Sequence, residues 1–268
     1  MHTNVNTLFE KLWENYLAVT PSAVTVHELF GQTQGQEVIN DHIALRTFNL
    51  PKIGLNDLAG HFEALGYEAC GEYHFVAKKL YAKHFEHPQY PDLPKVFISE
   101  LLLEQCSESL QKTIRGLVAN MDTDAVTQDN FLYSGRHWDI DYPTYQQLLQ
   151  ESEFAAWVAA WGYRANHFTV SNNHLSEFDS IEQINQAVKD AGLSLNTSGG
   201  EIKGSVDVML EQSSTLADKH PLAFSDGERA IPSCFYEFAK RYPKADGALF
   251  TGFVAESADK IFESTNAR

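Results

Sequence analysis

Two short β-forming segments, each carrying one histidine, constrain most strongly what this chain can fold into. Segments 42–48 (HIALRTF) and 166–171 (NHFTVS) both have the composition of strands. A helical pattern begins near Leu55, 13 residues after the first histidine, and at Ile181, 14 residues after the second. Further β-like segments follow in each half. This shared order of elements predicts two strand–helix–strands modules of similar structure.

The two modules are predicted over about residues 38–105 and 163–241 of a single domain that spans 1–268. Paired modules of this kind curl their sheets around a shared cavity, so we expect an α+β fold with a curved sheet. Extra helices are predicted over 4–30 and 107–161. The remaining expectations are one continuous helix over 144–161 and strands over 72–77, 96–103 and 233–238.

The composition argues against several classes of function. The net charge is −16 and no cluster of Lys and Arg stands out, so nucleic acid is an unexpected partner. No apolar stretch approaches the roughly 20 residues that a membrane span needs. Three cysteines, Cys70, Cys106 and Cys234, lie far apart in the sequence, which disfavours a disulfide framework and fits a reducing cytoplasm. The sequence assigns no oligomeric state.

The first strand is expected to place two functional side chains on one face. Residues of equal parity share a face of a strand, so His42, Ala44 and Arg46 point the same way. A neutral imidazole can bind a metal, and a guanidinium can hold a carboxylate by two hydrogen bonds. The alternative is a solvent-facing strand with two polar surface residues.

Two further residues are candidates for the same site. His167 shares a strand face with Thr169, although a histidine that is merely hydrogen-bonded explains it equally well. Glu237 lies within an aromatic run, where an unpaired carboxylate is costly and calls for a cation. A salt bridge to Lys240 or Arg241 is the simpler explanation.

Together, His42, His167 and Glu237 form a recognised ligand set. Two histidines and one carboxylate with open coordination positions suit non-haem iron(II), which then takes substrate and dioxygen. Manganese, cobalt and zinc accept the same ligands. The glycines at 199, 200 and 204 do not match a phosphate-binding or dinucleotide fingerprint.

Longer motifs make the sequence more specific. Seven segments follow one another along nearly the whole chain: DHIALRTF (41–48), VFISELLLE (96–104), ESEFAAWVAAWGYRANHFTVS (151–171), GGEIKGS (199–205), LEQSST (210–215), IPSCFYEFAKR (231–241) and FVAESADKIFEST (253–265). In this combination the chain resembles the 2-oxoadipate dioxygenase/decarboxylase family, which was long known only as a domain of unknown function.

This resemblance implies a vicinal-oxygen-chelate-like fold and an Fe(II) site formed by His42, His167 and Glu237. It also implies that Arg46 binds substrate and that the segment near Val254 lines the pocket. The implied reaction converts 2-oxoadipate and O2 to 2-hydroxyglutarate and CO2, within lysine catabolism. No nicotinamide or flavin is expected, because the substrate itself supplies the electrons.

Three more residues are expected near the ligands. Glu100 occupies, in the repeat of elements, the place in the first module that Glu237 holds in the second. It is therefore a candidate to accept a hydrogen bond from a ligand histidine, with an ordinary salt bridge as the alternative. Gln212 and Ser213 are candidates to bind the ligands or substrate from a neighbouring strand.

Two other functions remain open at the level of the sequence. One is a glyoxalase-like isomerase, lyase or metal-dependent hydrolase on the same scaffold, since fold does not dictate function. The other is a non-enzymatic module that binds a small acid or a metal. Better-known family members are considerably longer than this chain, which makes the reaction type a firmer expectation than the exact 2-oxo acid.

Overall fold

The structure, a computed structural model, describes residues 1–32 and 38–266. Its helices in this part of the chain are α1 (Val5–Leu17), α2 (Pro21–Gln32), α3 (Leu55–Glu63), α4 (Glu108–Val118), α5 (Tyr142–Glu151), α6 (Glu153–Trp161), α7 (Ile181–Asp190) and α8 (Ala255–Ile261). Its strands are β1 (Asn40–Phe48), β2 (Glu68–Phe75), β3 (Leu80–Glu86), β4 (Lys95–Leu101), β5 (Ala165–Ser171), β6 (Lys203–Ser205), β7 (Leu210–Ser214), β8 (Lys219–Phe224), β9 (Gly227–Pro232) and β10 (Phe235–Arg241).

Eight of the described strands form one sheet, in the order β2-β3-β4-β1-β5-β10-β7-β6. The first four come from one half of the chain and the last four from the other. Each half has a parallel pair (β1 with β4, β5 with β10), and the halves join through the antiparallel pair of β1 and β5. The α+β fold with two strand–helix–strands modules is therefore confirmed.

The sheet is strongly curved, and its concave side is enclosed. Helix α8 contacts both β2 and β6, which are the two opposite edge strands of the sheet. One short helix can touch both edges only if the sheet curls around it. Residues on the concave face consequently surround a cavity, as the paired modules predict.

The outer face is covered by the N-terminal helices. The ring of Trp13 on α1 lies 4.9 Å from the ring of Phe168 on β5, in an edge-on contact. The Tyr16 hydroxyl donates a hydrogen bond to the carbonyl of Phe235 at 2.6 Å. Because Phe168 points outward, its neighbour His167 points into the concavity. Among the described residues, no helix combines the length and apolar character that crossing a membrane requires.

The continuous helix expected over 144–161 is wrong. Ser152 has an extended backbone (φ −144°, ψ 109°), and its side chain accepts a hydrogen bond from the Ala155 amide at 3.1 Å. Serine caps a helix better than it continues one, so the chain ends α5 and starts α6 at this point. Hydrophobic spacing runs through the break and therefore did not reveal it. In the region 4–30, where helices are predicted, the structure has α1 and α2. The strand expected over 96–103 ends at Leu101.

We expect Gly162→Ala to destabilise the fold by on the order of 3 kcal/mol or more. Gly162 has φ +65°, and an added Cβ would lie 2.2 Å from the carbonyl oxygen of Gly135. That backbone is held by paired hydrogen bonds of 2.9 Å between Gly135 and Tyr163. Gly116→Ala is the matched control, because nothing lies within 4 Å of its Cβ in α4 and alanine favours helix. Chemical denaturation of both variants measures the difference, and equal stabilities would contradict this assignment.

Candidate metal centre

Two β-bulges shape the junction of β1 and β5. Asn40 pairs with Val170 and His42 with Thr169, so Asp41 is an extra residue on β1. Ala44 pairs with His167 and Leu45 with Ala165, so Asn166 is an extra residue on β5. Bulges break the alternation of side chains between the two faces of a strand. Each bulged residue directly precedes one of the two histidines.

The bulged residues orient the histidines. The Asp41 carboxylate lies 2.8 Å from His42 Nδ1, and Asn166 Oδ1 lies 3.1 Å from His167 Nδ1. Both oxygens accept, so each imidazole donates from Nδ1 and directs its Nε2 toward Glu237. This arrangement fixes the tautomer that a metal-binding histidine needs.

The third group comes from β10 and meets both histidines. Glu237 pairs with Thr169 in the sheet and faces the concave side. Its carboxylate oxygens lie 3.6 Å from His42 Nε2 and 3.1 Å from His167 Nε2. One potential ligand atom from each of the three residues lies within 4.8 Å of the other two. Ligand atoms around one ion stand about 3–4 Å apart when each bond is roughly 2.0–2.2 Å long, so a cation fits with small adjustments.

The ionisation states also suit a cation. Burial by itself raises the pKa of Glu237, but the two imidazoles beside it lower that pKa to about 2. Burial lowers the pKa of His42, yet the Glu237 and Asp41 carboxylates outweigh it and leave that pKa raised. For His167 burial dominates and lowers the pKa. An anionic carboxylate beside imidazoles is the donor set that binds a metal ion in exchange for protons.

Arg241 ties this centre to the C-terminal segment. It grips Asp41 through two hydrogen bonds of 2.7 and 2.9 Å, and this pairing holds the pKa of Asp41 well below its usual range despite burial. The same guanidinium donates to the carbonyls of Phe250 and Gly252, at 3.0 and 2.7 Å. The following residue, Phe253, lies edge-on against the His42 ring at 4.8 Å.

A small cavity of about 20 Å³ adjoins the triad. Three of its lining side chains carry a buried polar atom without a hydrogen-bond partner in the described structure: Arg46 Nε, Asn166 Nδ2 and Gln212 Oε1. Buried polar groups are seldom left unpaired, because an unpaired group costs about 1–3 kcal/mol. Their convergence on one cavity therefore fits a site for a metal and a small polar ligand.

Arg46 is buried at the side of this cavity. Its guanidinium donates to Glu153 Oε1 and to Thr265 Oγ1, both at 3.1 Å. The rings of Phe154, Trp157 and Phe262 surround it, with centroids 5.1–5.5 Å from its central carbon. The cation is thus held rigidly, and its Nε remains available to the cavity.

The other sequence candidates lie in different places. Gln212 donates to Glu237 Oε1 at 2.5 Å and so contacts a triad member. Glu100 instead accepts from the Leu55 amide at the start of α3, on the opposite face of β4. Phe97 holds the position in the first module that Glu237 holds in the second. Phe97 pairs with Ala44, two residues after His42, and Glu237 pairs with Thr169, two residues after His167. Ser213 donates to Asn185 on α7, and Val254 precedes α8 beside the cavity-lining Phe253.

Comparison with known proteins identifies the family. A model described as 2-oxoadipate dioxygenase/decarboxylase matches residues 4–249. The chain belongs to the 2-oxoadipate dioxygenase/decarboxylase family. The chloroplastic/amyloplastic protein of that name from Oryza sativa subsp. japonica is 36% identical over 97% of this chain and 78% of its own length. The chloroplastic protein of the same name from Arabidopsis thaliana is 36% identical over 93% of this chain and 74% of its own.

Solved structures of similar proteins have the same fold as this chain. The hydroxyglutarate synthase of Oryza sativa in complex with 2-oxoadipate superposes with a TM-score of 0.90 at 36% identity, over 97% of this chain and 91% of that one. A Shewanella frigidimarina protein with a provisional description as a hydrolase superposes with a TM-score of 0.91 at 62% identity, over 95% of this chain and 99% of that one. A protein from Ralstonia eutropha, described provisionally as a glyoxalase superfamily member, superposes with a TM-score of 0.78 at 21% identity, over 92% of this chain and 85% of that one. This last likeness supports the vicinal-oxygen-chelate-like fold alone.

We predict that Asp41→Asn weakens binding of a divalent metal by roughly 10–100-fold, the usual effect of losing a partner that orients a ligand histidine. The amide can still accept from His42 but cannot balance Arg241 or increase the basicity of the imidazole. Competition with a fluorescent chelator measures the affinity. Glu100→Gln is the control, because glutamine can still accept from the Leu55 amide and lies away from the triad. Equal loss of affinity in both variants would contradict the assignment.

Proposed function

We propose that His42, His167 and Glu237 bind one Fe(II) ion, and that this chain converts 2-oxoadipate and O2 to 2-hydroxyglutarate and CO2. The observation that supports this most is the convergence of two pre-oriented imidazoles and one ionised carboxylate on a cavity that also contains Arg46. The rice relative, whose solved complex contains 2-oxoadipate, supports the choice of substrate.

The residues fit this ion and substrate in distinct ways. Two histidines and a carboxylate are the ligand set typical of non-haem iron(II) oxygenases, and they leave coordination positions free. Bound ferrous iron supplies Lewis acidity toward the 2-oxo acid and redox chemistry with O2. The reaction balances without a further reductant, which is why we propose no nicotinamide or flavin.

The chain's own side chains position the substrate and keep the reaction dry. Arg46 offers its free Nε to a substrate carboxylate and so orients the carbon chain. Gln212 holds one oxygen of Glu237, which keeps the carboxylate directed at the ion. The rings of Phe97, Phe253 and Phe262 line the cavity and exclude water from the reacting atoms.

One alternative function has specific support. The Shewanella frigidimarina protein, which is 62% identical over 95% of this chain, has a provisional description as a hydrolase. The same triad could activate water on a metal for hydrolysis or isomerisation. Consumption of O2 distinguishes these reactions, because hydrolysis and isomerisation proceed under strict anoxia.

We also propose that the protein works in a reducing cytoplasm and takes only a small dianionic acid and O2 as reactants. The net charge of −16 supports the absence of nucleic-acid and anionic membrane partners. The chloroplast location applies to the two plant relatives.

We expect His42→Ala, His167→Ala and Glu237→Gln each to lose bound iron and to reduce activity at least about 100-fold. Removing a metal ligand should cost at least as much as removing the residue that orients it, which typically costs about 10–100-fold. Arg46→Ala should instead retain iron and raise the KM for 2-oxoadipate. An oxygen electrode, CO2 release and iron analysis measure these effects.

His74→Ala is the matched control, because His74 is an exposed strand histidine outside the triad. Full iron occupancy in the Glu237 variant would overturn the proposed ligand set. Turnover of the wild-type protein without O2 would overturn the dioxygenase reaction and favour the alternative.

A further inference from the structure

Arg46 and Glu153 form an ion pair that stands between two cavities. The Arg46 side chain is only 1% exposed and lines the inner cavity beside the triad. The Glu153 side chain is 20% exposed and lines an outer cavity of about 240 Å³. Phe262 lines both cavities. The pair therefore lies at the boundary between the metal centre and the surface.

The inner cavity is too small for the proposed substrate. Its volume of about 20 Å³ is close to that of a single water, whereas a six-carbon diacid is several times larger. Groups at the boundary must therefore shift when the diacid enters. The outer cavity is the route from the surface to this boundary. Its Lys78 and Lys79 pair with Glu263 and Glu151, so the charges of its wall are largely compensated.

The contacts of Arg46 show why Glu153 is present and why it can leave. A buried guanidinium without a counter-charge is costly, so the ligand-free protein needs the carboxylate of Glu153. An incoming carboxylate can pair with the free Nε and a neighbouring amino group in the fork geometry that arginine favours. Glu153 is then no longer needed for compensation, and two carboxylates on one guanidinium repel each other. Its partial exposure gives it a path toward solvent.

We propose that Glu153 stands in for the distal carboxylate of the substrate, which displaces it from Arg46. This inference rests on the proposed function. The product, 2-hydroxyglutarate, keeps the distal carboxylate, so Arg46 alone would retain it as firmly as the substrate. Glu153 competes with both diacids and thereby sets how long they stay. It is a positioning residue that acts through Arg46 and does not touch the reacting atoms.

Calorimetric titration of the Zn(II)-loaded protein tests the proposal without turnover, because zinc has no redox chemistry. The probes are 2-oxoadipate and 2-oxohexanoate, which has a methyl group in place of the distal carboxylate. Glu153→Gln should lower the Kd for 2-oxoadipate about tenfold and leave the Kd for 2-oxohexanoate unchanged. Glu151→Gln is the matched control, because Glu151 lines the same outer cavity but pairs with Lys79. It should change neither Kd.

A second variant and a second readout guard against misfolding. Glu153→Asp keeps the charge at a greater distance and should give an intermediate Kd for the diacid. In thermal unfolding, 2-oxoadipate should raise the Tm of Glu153→Gln more than that of the wild type, since the ligand supplies the missing counter-charge.

Tighter binding of both acids, or weaker binding of the diacid, in Glu153→Gln would overturn the role assigned to Glu153. An unchanged Kd for the diacid in that variant would do the same, provided that the wild-type protein binds it. A wild-type protein that takes up zinc but binds neither acid would instead overturn the proposed function, and this inference with it.

Discussion

The antiparallel pairing of β1 with β5 is the interaction on which the site depends. It joins the two halves of the sheet and places both histidines on the concave face within one ladder. Its two bulges supply Asp41 and Asn166 next to the histidines, at the cost of two interruptions in the hydrogen-bond ladder. A regular pair without bulges would turn these residues toward the opposite face, away from the imidazoles they orient.

A series of buried contacts with alternating positive and negative groups starts at this junction. Arg241 pairs with Asp41, which binds His42, which in turn faces Glu237. Each buried ion is thereby compensated by a neighbour of opposite sign or by an imidazole, so the desolvation cost is shared. The same Arg241 holds the carbonyls ahead of Phe253, and it thereby connects the geometry of the triad to the position of the C-terminal segment.

The sequence predicts the modules and the three strands of the triad because both depend on local hydrophobic patterns. The strand that contains Glu237 starts at Phe235 rather than Ser233 and runs on to Arg241, which places that arginine opposite Asp41. The sequence alone indicates Arg241 only as an alternative salt-bridge partner of Glu237. The Asp-His and Asn-His dipeptides are the local signal for the bulges, but strict alternation predicts Asp41 and Asn166 on the opposite face from the histidines. The contacts of Arg46 with Glu153 and Thr265 join residues 107 and 219 positions apart, which no local pattern reveals.

The two modules have different residues at the position that supplies the carboxylate ligand. Phe97 in the first has the register of Glu237 in the second. A carboxylate at both places would surround a divalent ion with two imidazoles and two negative charges, leaving a neutral and crowded complex. With phenylalanine there, the ion keeps one unit of positive charge and more open coordination. The difference between the two modules at this register position thus suits the centre to attract an anion to the metal itself.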